Sequence, residues 1–187
     1  DGITYTDKIT GMTGVTVNDL AQDSSKEVVW LATQGGFAKS EDFASSISAG
    51  NEPTWKFPIT PSEATDTGSA VWVDPDQPDV VIVGATGGVL YRSSDGGDTW
   101  TEITDGVDDA TGATFVDFAE FVSDTSTLYA SYQFQAGGGG VLQSINGGET
   151  WIDTGMPNVP AGPLAVNADG QLLVGVGVEQ TDDVETR

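Results

Sequence analysis

One segment of this chain is written out more than once, and that repetition limits the fold more than any other feature. Gly88-Val89-Leu90-Tyr91-Arg92-Ser93-Ser94-Asp95-Gly96-Gly97-Asp98-Thr99-Trp100 is echoed, one residue shorter, by Gly140-Val141-Leu142-Gln143-Ser144-Ile145-Asn146-Gly147-Gly148-Glu149-Thr150-Trp151. A weaker copy runs Gly36-Phe37-Ala38-Lys39-Ser40-Glu41-Asp42, then an insertion, then Thr54-Trp55. The three tryptophans Trp55, Trp100 and Trp151 lie 45 and 51 residues apart. A fixed period of this length marks a unit that buries its apolar face only by stacking on its neighbours.

The stretches between the motifs repeat as hairpins. Ala70 to Val73 and Val80 to Val83 flank a turn at 74–79, and Leu164 to Val166 and Leu172 to Val176 flank a turn at 167–170. Val15 to Val17 with Val28 to Ala32, and Phe115 to Val122 with Leu128 to Tyr132, are the same unit. Each repeat then reads as four strands, A to D, with D starting at the tryptophan. Phe115, Phe118 and Phe121 fall three apart, a helical spacing, but their place in the repeat makes them strand A with a bend. Trp30 and Trp72 fall on strands and read as core.

The expected fold is all-β: a β-propeller of four-stranded blades, about four blades' worth, in a single domain over 1–187. The blades fall at about 14–60, 68–104 and 113–154, with a partial blade at 163–187. Residues 1–10 resemble a D strand, with Tyr5 near the tryptophan position. Residues 183–187 resemble a C strand. Two readings stand. The first strand completes the last blade and closes a ring, which removes exposed sheet edges. Otherwise the chain is a piece of a longer propeller.

Ser93-x-Asp95-x-Gly97-x-Thr99-Trp100 resembles the Asp-box, the bacterial-neuraminidase repeat. Ser144-x-Asn146-x-Gly148-x-Thr150-Trp151 resembles it with Asn for Asp. Families sharing the motif include sialidases, family-74 glycoside hydrolases, sortilin-type receptors and photosystem II assembly-factor-like proteins. The resemblance implies a peripheral, structural turn. In such a turn Asp95 and Asn146 accept from turn amides, the glycine pairs supply positive φ, and Trp100 and Trp151 wedge between blades.

Composition narrows the chemistry. The 187 residues include no His and no Cys, which removes the Ser-His-Asp triad, the cysteine nucleophile and zinc-thiolate sites. There are 29 Asp plus Glu against 6 Lys plus Arg, a formal charge of −23. A nucleic acid would meet repulsion. A halophilic, exported setting suits the charge, because molar salt screens it within ~3 Å. No run is long enough to insert in a membrane, and no signal peptide is read. The arginine triad that sialidase resemblance would require is missing, since only Arg92 and Arg187 are present.

Binding in such a fold is expected on the face carrying the D–A and B–C loops. The candidates there are Glu63 and Asp66 in 57–69, Asp105, Asp108 and Asp109 in 103–114, and Tyr132, which with Phe134 flanks the glycine-rich 135–140. The leading expectation is a non-enzymatic, exported binding or scaffold module for a protein or glycan, with no cofactor and an oligomeric state left open. The alternative is a glycoside hydrolase, which needs two carboxylates roughly 5–9 Å apart; Asp66 and Asp108 are the pair considered. Calcium on 74–79 or 105–109 is a weaker possibility, since neither run matches a known calcium loop.

Overall fold

Short apolar runs rich in Val, Ile, Leu and aromatic residues, bounded by Gly, Asp and Asn, pair here as antiparallel ladders. The computed structural model describes residues 16–62, 67–121 and 124–177. The suggested first strand at 1–10, the C-like segment at 183–187, Glu63, Asp66 and Arg187 lie outside the described residues.

The first sheet holds β1 (Val17–Gln22), β2 (Val29–Thr33), β3 (Gly36–Ser40) and β4 (Lys56–Ile59), in that order. The second holds β5 (Gly68–Val73), β6 (Val81–Ala85), β7 (Val89–Ser93) and β8 (Thr101–Ile103). The third holds β9 (Thr114–Phe121), β10 (Asp124–Gln133), β11 (Gly139–Ser144) and β12 (Ile152–Asp153). A hairpin of β13 (Ala161–Val166) and β14 (Leu172–Val176) follows. A helix, α1 (Phe43–Ser48), lies within the first sheet's C–D connection. The first strands pack in succession, β1 on β5, β5 on β9 and β9 on β13. These are blades of a β-propeller with their A strands innermost. β1 begins two residues later than the sequence suggests and runs further, to Gln22. β8 and β12 start one residue after their tryptophans.

The core lies between blades. Trp30, Ala32 and Phe37 of the first sheet meet Val71, Val81, Val83 and Tyr91 of the second. Trp72, Ile82 and Leu90 on the second sheet's other face meet Phe115, Phe118, Leu128 and Trp151 of the third. Trp30 and Trp72 are 0 % and 6 % exposed.

Every inner strand carries a β-bulge near its start, between Val17 and Asp19, Gly68 and Ala70, Phe115 and Asp117, and Ala161 and Leu164. An extra residue shifts side-chain alternation by one position. That is why Phe115 and Phe118, three apart, point into the same core with ring centroids 6.4 Å apart.

Candidate functional site

The Ser-x-Asp turns are closed from within. Ser93 Oγ donates to Asp95 Oδ1 (2.8 Å) and accepts from Gly97 N–H (2.8 Å). Asp95 accepts from Thr99 N–H (2.8 Å) and from the Thr99 hydroxyl (2.6 Å). These bonds, led by the Thr99 hydroxyl, hold the Asp95 carboxyl down at about 2. Ser144 and Asn146 repeat the pattern to Gly148 and Thr150. The degenerate copy keeps it too. Asp42 accepts from Ser40 Oγ (3.0 Å) and, across the inserted helix, from Thr54 N–H (2.8 Å).

Gly97 and Gly148 lie at φ +88° and +81°, and a Cβ there would strike Trp30 and Ile82 of the preceding blade. Trp100 and Trp151 donate their indole N–H to Gly97 and Gly148 carbonyls (3.1 and 3.2 Å). Trp100 meets Trp30 edge-on at 5.8 Å. These turns share an edge with the A–B turns, as the Gly96 N–H to Asp79 carbonyl bond shows (2.9 Å). Asp74 in that A–B turn caps Asp76 and Gln77 N–H groups. Among the described residues, no cluster of three or more Asp and Glu comes together with metal-ligand geometry.

The opposite face carries the D–A and B–C loops. A cleft of ≈ 270 Å³ near the inner strands is lined by Asn18, Thr67, Ser69, Thr86, Thr114, Phe115, Val116 and Gln133. It shares Thr114 and Gln133 with a second, of ≈ 600 Å³, that adds Gly87, Gly112, Ala113, Phe134 and Gln135. Phe134 in turn borders a third, of ≈ 290 Å³, lined by Asp109, Tyr132, Gly139, Asp153, Met156 and Asn158. The three adjoin through these shared residues, a groove that runs from Asn18 of the first blade onto the third. Its inner part offers hydroxyls and amides, and its outer end offers carboxylates.

The loop candidates separate. Asp109 sits on a one-turn 3-10 helix (Asp108–Ala110) and lines the outer end of the groove with Tyr132. Asp108 beside it is exposed and lines none of these three clefts. Asp105 points elsewhere, into a peripheral cleft of ≈ 350 Å³ with Arg92, Glu102 and Glu149. Its carbonyl accepts from Trp151 N–H (3.1 Å). Tyr132 is 5 % exposed, packs against Phe115 and Phe134, and lines the same end of the groove. Burial first, then the Asp153 and Asp109 carboxylates, push its hydroxyl above the usual phenol range.

Several polar groups at key positions were not among the sequence candidates. Asp19 accepts from Leu20 N–H (2.7 Å) and from Val71 N–H in the next blade (2.9 Å). Asp117 does the same for Phe118 (2.9 Å) and for Leu164 in the next blade (2.7 Å). Burial raises both carboxyls, and Asp117 adds repulsion at Asp19. Glu120 accepts from Trp72 Nε1 (2.8 Å); burial raises it, with Asp74 and Asp76 adding to the effect. A visible signal existed for Asp117, an acid between Val116 and Phe118 in a strand, but not for Asp19, which follows Asn18. Asp153 and Asn158, in a connection read without singling out any residue, gave none.

Neither a protein-family model nor a curated protein sequence matches the chain. Solved structures do share its fold. A GH74 xyloglucanase from Xanthomonas campestris matches with TM-score 0.62 and 17 % identity, over 86 % of this chain and 27 % of its own. YCF48 bound to D1 peptide matches with TM-score 0.56 and 12 % identity, over 87 % and 46 %. The extracellular domain of the two-component protein BT4673 from B. thetaiotaomicron matches with TM-score 0.60 and 15 % identity, over 86 % and 19 %. The chain spans about a quarter of the length of the GH74 enzyme. At these identities the likeness is one of fold.

Proposed function

We propose that this protein is a non-enzymatic, exported binding module that recognises an extended ligand, a glycan before a protein, through the groove on its D–A and B–C face. The observation that carries this is the groove's lining. Exposed hydroxyls and amides from Asn18, Thr86, Thr114 and Gln133 lead to the Phe134 ring over three adjoining clefts. Sugars present hydroxyls and apolar C–H faces, and such a surface answers both. The turns around Asp95 and Asn146 are Asp-boxes in this reading, structural and remote from the ligand. The extracellular domain among the similar structures supports an exported setting, and the acidic composition supports a saline one.

The likeness to GH74 enzymes keeps glycoside hydrolysis as the second reading. It requires a free carboxylate pair, and the Asp66–Asp108 pair has Asp66 outside the described residues. In a third reading the chain works as part of a longer propeller. Titration with neutral and amino-sugar oligosaccharides, with reducing ends measured in parallel, separates the first two. Retention of intact ligand, weakened by Gln133→Ala at unchanged melting temperature, supports the module. Release of reducing ends that a single carboxylate-to-amide change abolishes would overturn it.

A further inference from the structure

We infer that the outer end of the groove is an ammonium site that receives the amine of an amino-sugar residue. This deepens the reading above and rests on it. Asp109 and Asp153 line this end, and no lysine or arginine does. The ion pairs found among the described residues join Glu41 to Lys39 and Lys56, so neither aspartate has a cationic partner there. Two carboxylates lining one cleft without a counterion favour a cation that the ligand supplies.

Tyr132 gives the independent sign. Tyr132 is 5 % exposed and lines the cleft, its hydroxyl feels both carboxylates, and that hydroxyl has no hydrogen-bond partner among the described residues. That hydroxyl is free to pair with a ligand N–H or O–H, which its lone pairs would accept. The site is also built rather than incidental. Asn158 Oδ1 accepts from Gly139 N–H (2.8 Å), and a Cβ on Gly138 would strike that same Asn158 amide. Gly138 and Gly139 lie at φ +86° and +154°, so the loop can approach this closely because it is glycine. Phe134 and Met156 supply an apolar wall. Phe134 also borders the neutral part of the groove. A chain of sugar residues can therefore run along amides and hydroxyls and place one amine in the cleft that the two carboxylates line. A lysine side chain would use the carboxylates but not the neutral groove.

The test is titration calorimetry at pH 6 with a glucosamine tetramer, its N-acetylated counterpart, a neutral glucose tetramer and a lysine-containing tetrapeptide. The glucosamine tetramer should bind at least about tenfold tighter than the acetylated one, the size expected of a charge-assisted bond. Asp109→Asn and Asp153→Asn should each remove most of that preference. Both side chains are exposed, so melting temperatures should hold. Tyr132→Phe keeps the ring in the core and should weaken the glucosamine tetramer by a smaller factor. Equal affinity for all three tetramers, insensitive to these changes, overturns the ammonium site and leaves the glycan module standing. Tighter binding of the tetrapeptide than of any sugar overturns the amino-sugar assignment. Binding of no tetramer overturns both.

Discussion

Asp95 and Asn146 hold equivalent turns with different side chains, and the comparison separates geometry from charge. Both accept from the Thr N–H four residues on, through one oxygen. Asp95→Asn should therefore keep the turn and the fold at neutral pH. What it removes is an acid sensitivity. The folded carboxyl sits at about 2, below its ordinary 3.8. A depressed carboxyl contributes stability above the unfolded value, and that contribution is lost as pH falls toward 2. Thermal unfolding across pH 5 to 2 should show a shallower acid decline for the amide variant; an unchanged slope would refute the assignment. Ser93 is the less replaceable member. It is 2 % exposed and bridges Asp95 and Gly97 N–H. Ser93→Ala leaves the half-buried Gly97 N–H without its acceptor, so denaturant unfolding should register a loss of about 1 kcal/mol.

Blades are joined by bonds that repeat from one unit to the next. Lys39 Nζ donates to the Gly96 carbonyl of the second blade's turn (2.9 Å), and Arg92 Nε to the Gly147 carbonyl of the third's (2.9 Å). Each cation precedes the serine of its own turn. In a chain this poor in cations, two of the six are spent on interfaces. Lys39→Met keeps the stem over Trp30 but leaves that carbonyl unpaired, at about 1–3 kcal/mol. Arg92→Met acts at another interface with no shared partner, so the double variant should be additive in chemical denaturation. The inserted segment has a comparable role. Phe43 on α1 and Trp55 pack edge to face at 6.1 Å over Val29, Leu31 and Ala38, the first sheet's outer side. Replacing 43–53 with Gly-Gly-Asp would restore the short turn yet uncover that side. Unfolding free energy should drop by about 2 kcal/mol or more, with dye binding to the exposed apolar surface. The strands and blade period were legible because the repeat aligned them. The bulges were not, since an extra residue in one ladder leaves no mark beyond odd spacings such as Phe115 and Phe118. The helix in 43–48 was hidden too, as its Phe-Ala-Ser-Ser-Ile-Ser is too short for periodicity to show.

At the scale of the whole molecule, the sequence pointed to the face with the D–A and B–C loops but not to the groove on it. Asp109 was legible as a loop residue and Tyr132 as the strand residue beside the glycine-rich loop, whereas Asp153 and Asn158 join them through strand pairing and loop packing that no local pattern encodes. Charge, in contrast, is legible at once and makes the broadest prediction. At −23, with Lys39 turned inward, the surface is almost wholly anionic. Its self-repulsion acts over ~8 Å at physiological ionic strength and ~3 Å at ~1 M. The melting temperature should therefore climb with KCl and do most of its climbing below ~1 M. A screening origin has a second consequence. Changing exposed Asp98, Asp108, Glu149 and Asp169 to amides takes the formal charge from −23 to −19 and should raise the low-salt melting temperature while flattening its salt dependence. Salt that acts instead by exclusion from the surface would leave that slope unchanged and would favour sulfate over chloride at equal ionic strength. A flat KCl profile in the parent protein would remove the saline setting from the functional reading altogether, leaving the acidic surface to be explained by a cationic ligand.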